Sequence, residues 1–218
     1  MKQYSALIFD LDGTLIDSAP DITAAVNVYM VSKGWPALSV EYVETFIGNG
    51  PRRLLKDIFI DQGLPFDDAT VDAAVQSYIE NYHRNPAEKT RFFSHVRGDL
   101  QSLHAAGFRL GICTNKPHAL TQEILKILEL DRLIEVALGA DAVPACKPDP
   151  GHLRAVVERM NLNGANWAYV GDTNVDKATA EGAGATFFVV PWGGGADVNV
   201  EPHQRLARIA DLMEYRSH

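Results

Sequence analysis

The sequence predicts an α/β fold: a Rossmann-like parallel sheet with helices on both faces, interrupted early by an inserted all-α segment. Three observations carry this. Short apolar runs alternate with helical patterns through the later part of the chain. The stretch from Pro20 to Pro86 lacks that alternation and reads as helix throughout. Clusters of acidic, hydroxyl and basic residues fall just after the apolar runs, where open parallel sheets place their ligands.

The first strand is expected over residues 6–10, an apolar run ending in Asp10 and followed at once by Asp12. Side chains two apart on a strand share a face, so both acids can reach one reacting atom. Gly13 then lets the chain turn away. Further strands are expected over residues 109–114, 135–139, 167–171 and 186–190, with helices over 96–106, 118–128, 151–160 and 176–182. The inserted segment reads as helices over 21–33, 40–46, 51–62 and 69–82. Gly34-Trp35-Pro36 and Gly63-Leu64-Pro65 are helix stops within it. The expected division is a core of residues 1–16 and 87–218 and a helical cap of residues 17–86. Gly193, Gly194 and Gly195 read as a mobile loop after the last strand.

The 218 residues suffice for a full hydrophobic core and for a second domain. A net charge of -8 leaves no basic stripe to neutralise nucleic-acid phosphates, yet a few local cations can still hold a small anion in a cleft. No apolar run is long enough to span a bilayer. The chain opens at Met1 and enters the first strand almost immediately, which leaves no room for a signal peptide and suggests a cytoplasmic protein. Cys113 and Cys146 have neither a metal-site spacing nor a disulfide framework and are read as reduced thiols. The seven histidines form no zinc motif, and there is no Gly-x-x-x-x-Gly-Lys phosphate loop. A monomer or homodimer is expected.

A buried strand ending in two acids is costly unless a cation or substrate meets them. Three later clusters offer partners. Thr114-Asn115-Lys116 follows the second core strand and supplies a hydroxyl, an amide and a cation; read structurally, the same residues cap a helix. Lys147 lies in Cys146-Lys147-Pro148-Asp149-Pro150, where the prolines restrict the backbone and aim the ammonium; on its own it reads as a solvated charge. Gly171-Asp172-Thr173-Asn174-Val175-Asp176 places two further acids at a strand-to-helix junction, able to bind a metal or to cap the helix.

Taken in order, these clusters resemble the four motifs of the haloacid dehalogenase-like hydrolases. Asp10-Leu11-Asp12-Gly13-Thr14-Leu15 matches the first, Thr114-Asn115 the second, Lys147-Pro148 the third, and Gly171-Asp172 with Asp176 the fourth. The resemblance covers essentially the whole chain, including a helical cap after the first motif. It implies a phosphatase in which Asp10 attacks phosphorus to give an aspartyl-phosphate, and Asp12 acts as general acid and then general base. Thr114, Asn115 and Lys147 would hold the phosphoryl oxygens. Asp10, Asp172 and the backbone carbonyl of Asp12 would hold Mg²⁺, with Asp176 and Thr173 supporting from behind.

Asp12 also separates branches of the family. Haloacid dehalogenases lack this acid, and phosphonatases replace it and place a lysine in the cap. Phosphomutases keep it, so transfer to a sugar stays open beside hydrolysis. A phospho-acceptor module, like a receiver domain, also pairs acids and Mg²⁺ with Thr and Lys, but it is one uninterrupted domain. In the cap, Phe46-Ile47-Gly48-Asn49-Gly50-Pro51-Arg52-Arg53 places a glycine turn before a helix. It is either a plain interhelical turn or a loop lowered over the site, with Arg52 or Arg53 meeting the distal anion of the substrate. Gly48-Asn49-Gly50 is similar to the cap loop of bacterial phosphoglycolate phosphatases, which implies 2-phosphoglycolate as substrate. Pyrophosphate, sugar phosphates and nucleoside monophosphates are alternatives. Thr173 stands where many members have Ser, and Lys177 where an apolar residue is common.

Overall fold

The computed structural model describes residues 3–162 and 166–216. Met1, where the sequence reading begins the chain, lies outside them. A five-stranded parallel sheet forms from β1 (Ala6–Phe9), β4 (Arg109–Cys113), β5 (Ile134–Leu138), β6 (Trp167–Gly171) and β7 (Thr186–Val189), in the order β5-β4-β1-β6-β7. The order reverses at β1, which pairs with both β4 and β6. That is the switch point where parallel sheets open a crevice, and it puts Asp10 at the centre of the molecule.

Strand alternation divides the core into two layers. Leu7 and Phe9 of β1, with Leu110 and Ile112 of β4, face a cluster containing Leu100, Leu103, Leu120 and Ile124. These come from α5 (Val96–Ala105) and α6 (His118–Ile127). Ala6 and Ile8 face the opposite cluster with Leu153, Val156 and Ala180, from α7 (Pro150–Arg159) and α8 (Asn174–Ala183). The central strands β1, β4 and β6 are therefore covered on both sides, which explains their near-continuous apolar runs.

Between β1 and β4 lie α1 (Ala19–Ser32), α2 (Val40–Glu44), α3 (Pro51–Asp61) and α4 (Asp68–Arg84). Tyr29, Trp35 and Phe59 pack edge-to-face or tilted among them, with ring centroids 5.5–6.3 Å apart. The sequence reading names no strand at the junctions between this segment and the core. Instead β2 (Ile16–Asp17) pairs antiparallel with β3 (Arg91–Phe92), so the chain leaves the core and returns to it side by side. Buried Asp21 fastens this junction, accepting from the amides of Lys89 and Thr90 and from the Thr90 hydroxyl.

Candidate active site

Asp10 directly follows β1 and is buried at 3% exposure. Asp172 and Asp176 enter from the β6–α8 junction, and one carboxylate oxygen from each of the three acids lies within 4.8 Å of the others. The local sequence explains the placement of Asp176. Thr173 and Asp176 form a capping box at the start of α8, in which the Thr173 amide donates to Asp176 Oδ2 at 3.0 Å, and Thr173 Oγ1 also donates to that oxygen at 2.6 Å.

Lys147 reaches this cluster from the loop between β5 and α7. Its Nζ donates to Asp176 Oδ1 at 2.7 Å and stands 2.9 Å from Asp10 Oδ1. Tyr169 Oη braces the pair, 2.8 Å from Asp176 Oδ1 and 3.0 Å from Lys147 Nζ. Burial works against the ammonium of Lys147, but the carboxylates of Asp10 and Asp176 hold its pKa well above the usual lysine range. Burial likewise works against ionised Asp176, yet Lys147, Thr173 and Tyr169 hold its pKa below the ordinary range. Both oxygens of Asp176 are thus fully used.

Asp10 and Asp172 differ. Burial, with repulsion from Asp176 and Asp172, pushes the Asp10 pKa up to about 8 despite Lys147. Burial and Asp176 push Asp172 up to about 7, although the Gly194 amide and the Thr14 hydroxyl each donate to it, at 2.9 and 2.7 Å. Asp10 Oδ1 is buried and accepts no aligned hydrogen bond; Lys147 is near but poorly directed. Three buried acids facing one lysine carry more negative charge than it neutralises, which fits a hard divalent cation beside Asp10 and Asp172.

Asp12 sits apart from that trio. Its carboxylate accepts from Ser18 Oγ at 2.5 Å and from Lys116 Nζ at 2.9 Å. Asp10, Asp12, Thr114 and Asn115 line one cavity, with Gly48 and Gly50 lining it from the cap side. Asn115 Nδ2 donates to the Gly48 carbonyl and to the Lys147 carbonyl, both at 2.9 Å. Gly50 has φ +79°, and a Cβ there would stand 3.1 Å from the Asn115 carbonyl oxygen, so the loop approaches the core as only glycine easily permits. Asn49 lines a neighbouring cleft of about 520 Å³ that also reaches Asp12, Asp172 and Thr173.

Arg53 is not brought to the cavity. It is exposed and pairs with Asp57 at 2.6 Å, one turn along α3, while Arg52 is exposed and pairs with Asp68 and Asp72. The i, i+4 spacing places the Asp57 carboxylate directly within reach of Arg53 on the helix surface. The triple glycine is also not a free loop: Gly194 donates to Asp172, and Trp192 Nε1 donates to the Thr14 carbonyl at 3.0 Å. Thr14, Ser18, Tyr82, Tyr169 and Gly194 were missed by motif reading. Only the polarity of Thr14 and Ser18 beside the acid pair hinted at them. Cys113 and Cys146 are free thiols, and among the described residues no helix is long and apolar enough to cross a membrane.

Comparison with known proteins places this arrangement. Residues 7–190 match the haloacid dehalogenase-like hydrolase family. A phosphoglycolate phosphatase of Cereibacter sphaeroides is 38% identical over 202 residues, 92% of this chain and 91% of that protein. One from Caulobacter vibrioides is 34% identical over 189 residues, 87% of this chain and 80% of that protein. Among solved structures, a predicted phosphoglycolate phosphatase from Haemophilus somnus has a TM-score of 0.85 at 26% identity, covering 98% of both chains. The chain belongs to the haloacid dehalogenase-like hydrolases and is a phosphoric monoester hydrolase.

Proposed function

We propose that this phosphatase hydrolyses 2-phosphoglycolate through an aspartyl-phosphate on Asp10, with Mg²⁺ as its metal and the cytoplasm as its compartment. The observation that carries the reaction is buried Asp10, 2.9 Å from the Lys147 ammonium and lining a cavity that the cap loop also lines. The C. sphaeroides and C. vibrioides relatives, named for phosphoglycolate, support the substrate.

Asp10 and Asp172, with the backbone carbonyl of Asp12, would hold the metal. When bound it supplies positive charge that lowers the repulsion between a carboxylate and a phosphate dianion. Asp10 attacks phosphorus, and the bond to the ester oxygen breaks as Asp12 gives that oxygen a proton. Asp12 then takes a proton from a water that attacks the phosphorylated Asp10, releasing phosphate and the free carboxylate. Thr114 and Lys147 steady the phosphoryl oxygens, and Asp176 with Thr173 keeps Lys147 in place.

The cavity beside Asp10 and Asp12 is narrow where the cap loop meets the core, with Gly48, Gly50 and Pro51 lining it opposite Thr114 and Asn115. The helical segment 17–86 acts as a cap over this cavity and moves to admit substrate. The neighbouring cleft is lined by Asp17, Glu41, Glu44 and Asp197, an acidic wall that suits an approaching cation and repels a phosphate dianion. The test is phosphate release from 2-phosphoglycolate, pyrophosphate, sugar phosphates and nucleoside monophosphates, with and without Mg²⁺. A clear preference for 2-phosphoglycolate is expected. Equal rates on all would remove the substrate assignment, and isomerised sugar phosphate without free phosphate would favour a mutase.

A further inference from the structure

We infer that Lys116 reads the carboxylate end of the substrate and so sets specificity; this rests on the assignment of 2-phosphoglycolate above. The cap wall of the cavity is neutral: Ile22, Ile47, Leu54 and Tyr78 line it beside the loop glycines. Arg52 and Arg53 of α3 are exposed and engaged with Asp57, Asp68 and Asp72. Among the described residues lining the cavity, Lys116 is the one cation.

Its surroundings are those of a built site. The Lys116 side chain is 1% exposed, and Nζ donates to Tyr82 Oη at 2.7 Å from α4 of the cap. The ammonium also lies 4.3 Å from the centroid of the Tyr82 ring, a contact that retains a cation without neutralising it. Its carboxylate partner is Asp12, at 2.9 and 3.3 Å from the two oxygens. Asp12 has other work, since it must serve the leaving oxygen. In 2-phosphoglycolate the carboxylate carbon is two bonds from that oxygen. A cation in contact with the acid that serves the oxygen can therefore also meet the carboxylate. Binding substrate exchanges one carboxylate partner of Lys116 for another, and the ammonium is never left buried and unpaired.

The cap thus supplies shape and a tyrosine, while the charge that selects the substrate comes from the core, two residues beyond Thr114. A neutral ester gains nothing from Lys116, and an ester with a bulky distal group meets the apolar wall.

The experiment compares kcat/KM for 2-phosphoglycolate and for 2-hydroxyethyl phosphate, which replaces the carboxylate with a neutral group of similar size. Wild-type protein should prefer the acid, and Lys116→Met should cut that preference by about tenfold to a hundredfold, mainly through KM for the acid. Lys116→Arg should restore part of it. Lys116→Gln provides the same comparison if the Met variant does not fold, as checked by circular dichroism. If Lys116 only positioned Asp12, both substrates would lose kcat equally and the preference would stand; that result overturns the inference and spares the substrate assignment. A wild-type enzyme without preference would defeat the substrate assignment and this inference together.

Discussion

Asn115 donates its side-chain amide to the carbonyl of Gly48 at 2.9 Å, joining a residue that follows a core strand to the loop that covers it. The same amide holds the Lys147 carbonyl, so one side chain ties cap loop and lysine loop together.

Asn115→Ala leaves both carbonyls without this donor; the bond to Lys147 is the buried one, and losing such a partner costs about 1 to 3 kcal/mol. We expect a loss of about 2 kcal/mol in urea unfolding, and kcat/KM lower by about tenfold as the closed state becomes less populated. Unchanged kinetics with lowered stability would show that the contact serves folding alone.

Asp10→Asn should abolish turnover while leaving the protein as stable as wild type, or more so, in the absence of metal. Burial makes ionised Asp10 unfavourable, and the amide removes that cost without changing shape. Steady-state assays together with thermal melts in a chelator check both halves. Appreciable residual activity would remove Asp10 as the nucleophile.

Metal-free stability should fall as pH rises from about 5 to about 8. Asp10 and Asp172 hold their protons up to about 8 and about 7 in the native protein, whereas the unfolded chain ionises such groups near about 4. Between those limits the native state binds more protons, so each step upward in pH favours unfolding. Asp176 has the opposite sign, but its contribution is lost only as pH falls below the ordinary carboxylate range. Mg²⁺ competes with the same protons, and its stabilising effect should therefore grow across this window. Thermal melts with Mg²⁺ or chelator over the pH series measure both trends; a metal-free Tm that rises with pH would contradict them.

Gly13→Ala should disable the metal site. Gly13 has φ +81°, and a Cβ there would stand 2.4 Å from Asp172 Oδ2. Displacing that carboxylate should remove most of the Mg²⁺-dependent rise in Tm and lower activity by about a hundredfold. An alanine variant with a normal Mg²⁺ response would show that Asp172 does not hold the ion.

The sheet was legible because each strand carries its own signal: an apolar run, then polar residues at its carboxyl end. Trp167–Gly171 has the expected bounds, and the other core strands differ by a residue at one end or both. Asp10, Asp172 and Lys147 could be named from the sequence because each follows a strand or precedes a helix. What the sequence hid are contacts made by topology. Thr14 and Asp172 are 158 positions apart, and Lys116 and Tyr82 belong to different helical contexts 34 positions apart. Arg53 reads on paper like an arginine aimed at a ligand, whereas the structure pairs it with Asp57 one turn along α3. The pairing of Ile16 with Phe92 was equally unreadable, since two residues are too few to show a strand period.

That short ribbon has a wider consequence. Because the outgoing and returning chains are already clasped together, the closure entropy of everything between them is met locally. The parallel sheet registers against its neighbours as though a hairpin stood there. An insertion of another length or composition can be spliced at this point without disturbing the nucleophile or its lysine. The core can therefore keep one chemistry through descent while its covering is exchanged, and with it the range of esters that reach the phosphoryl site.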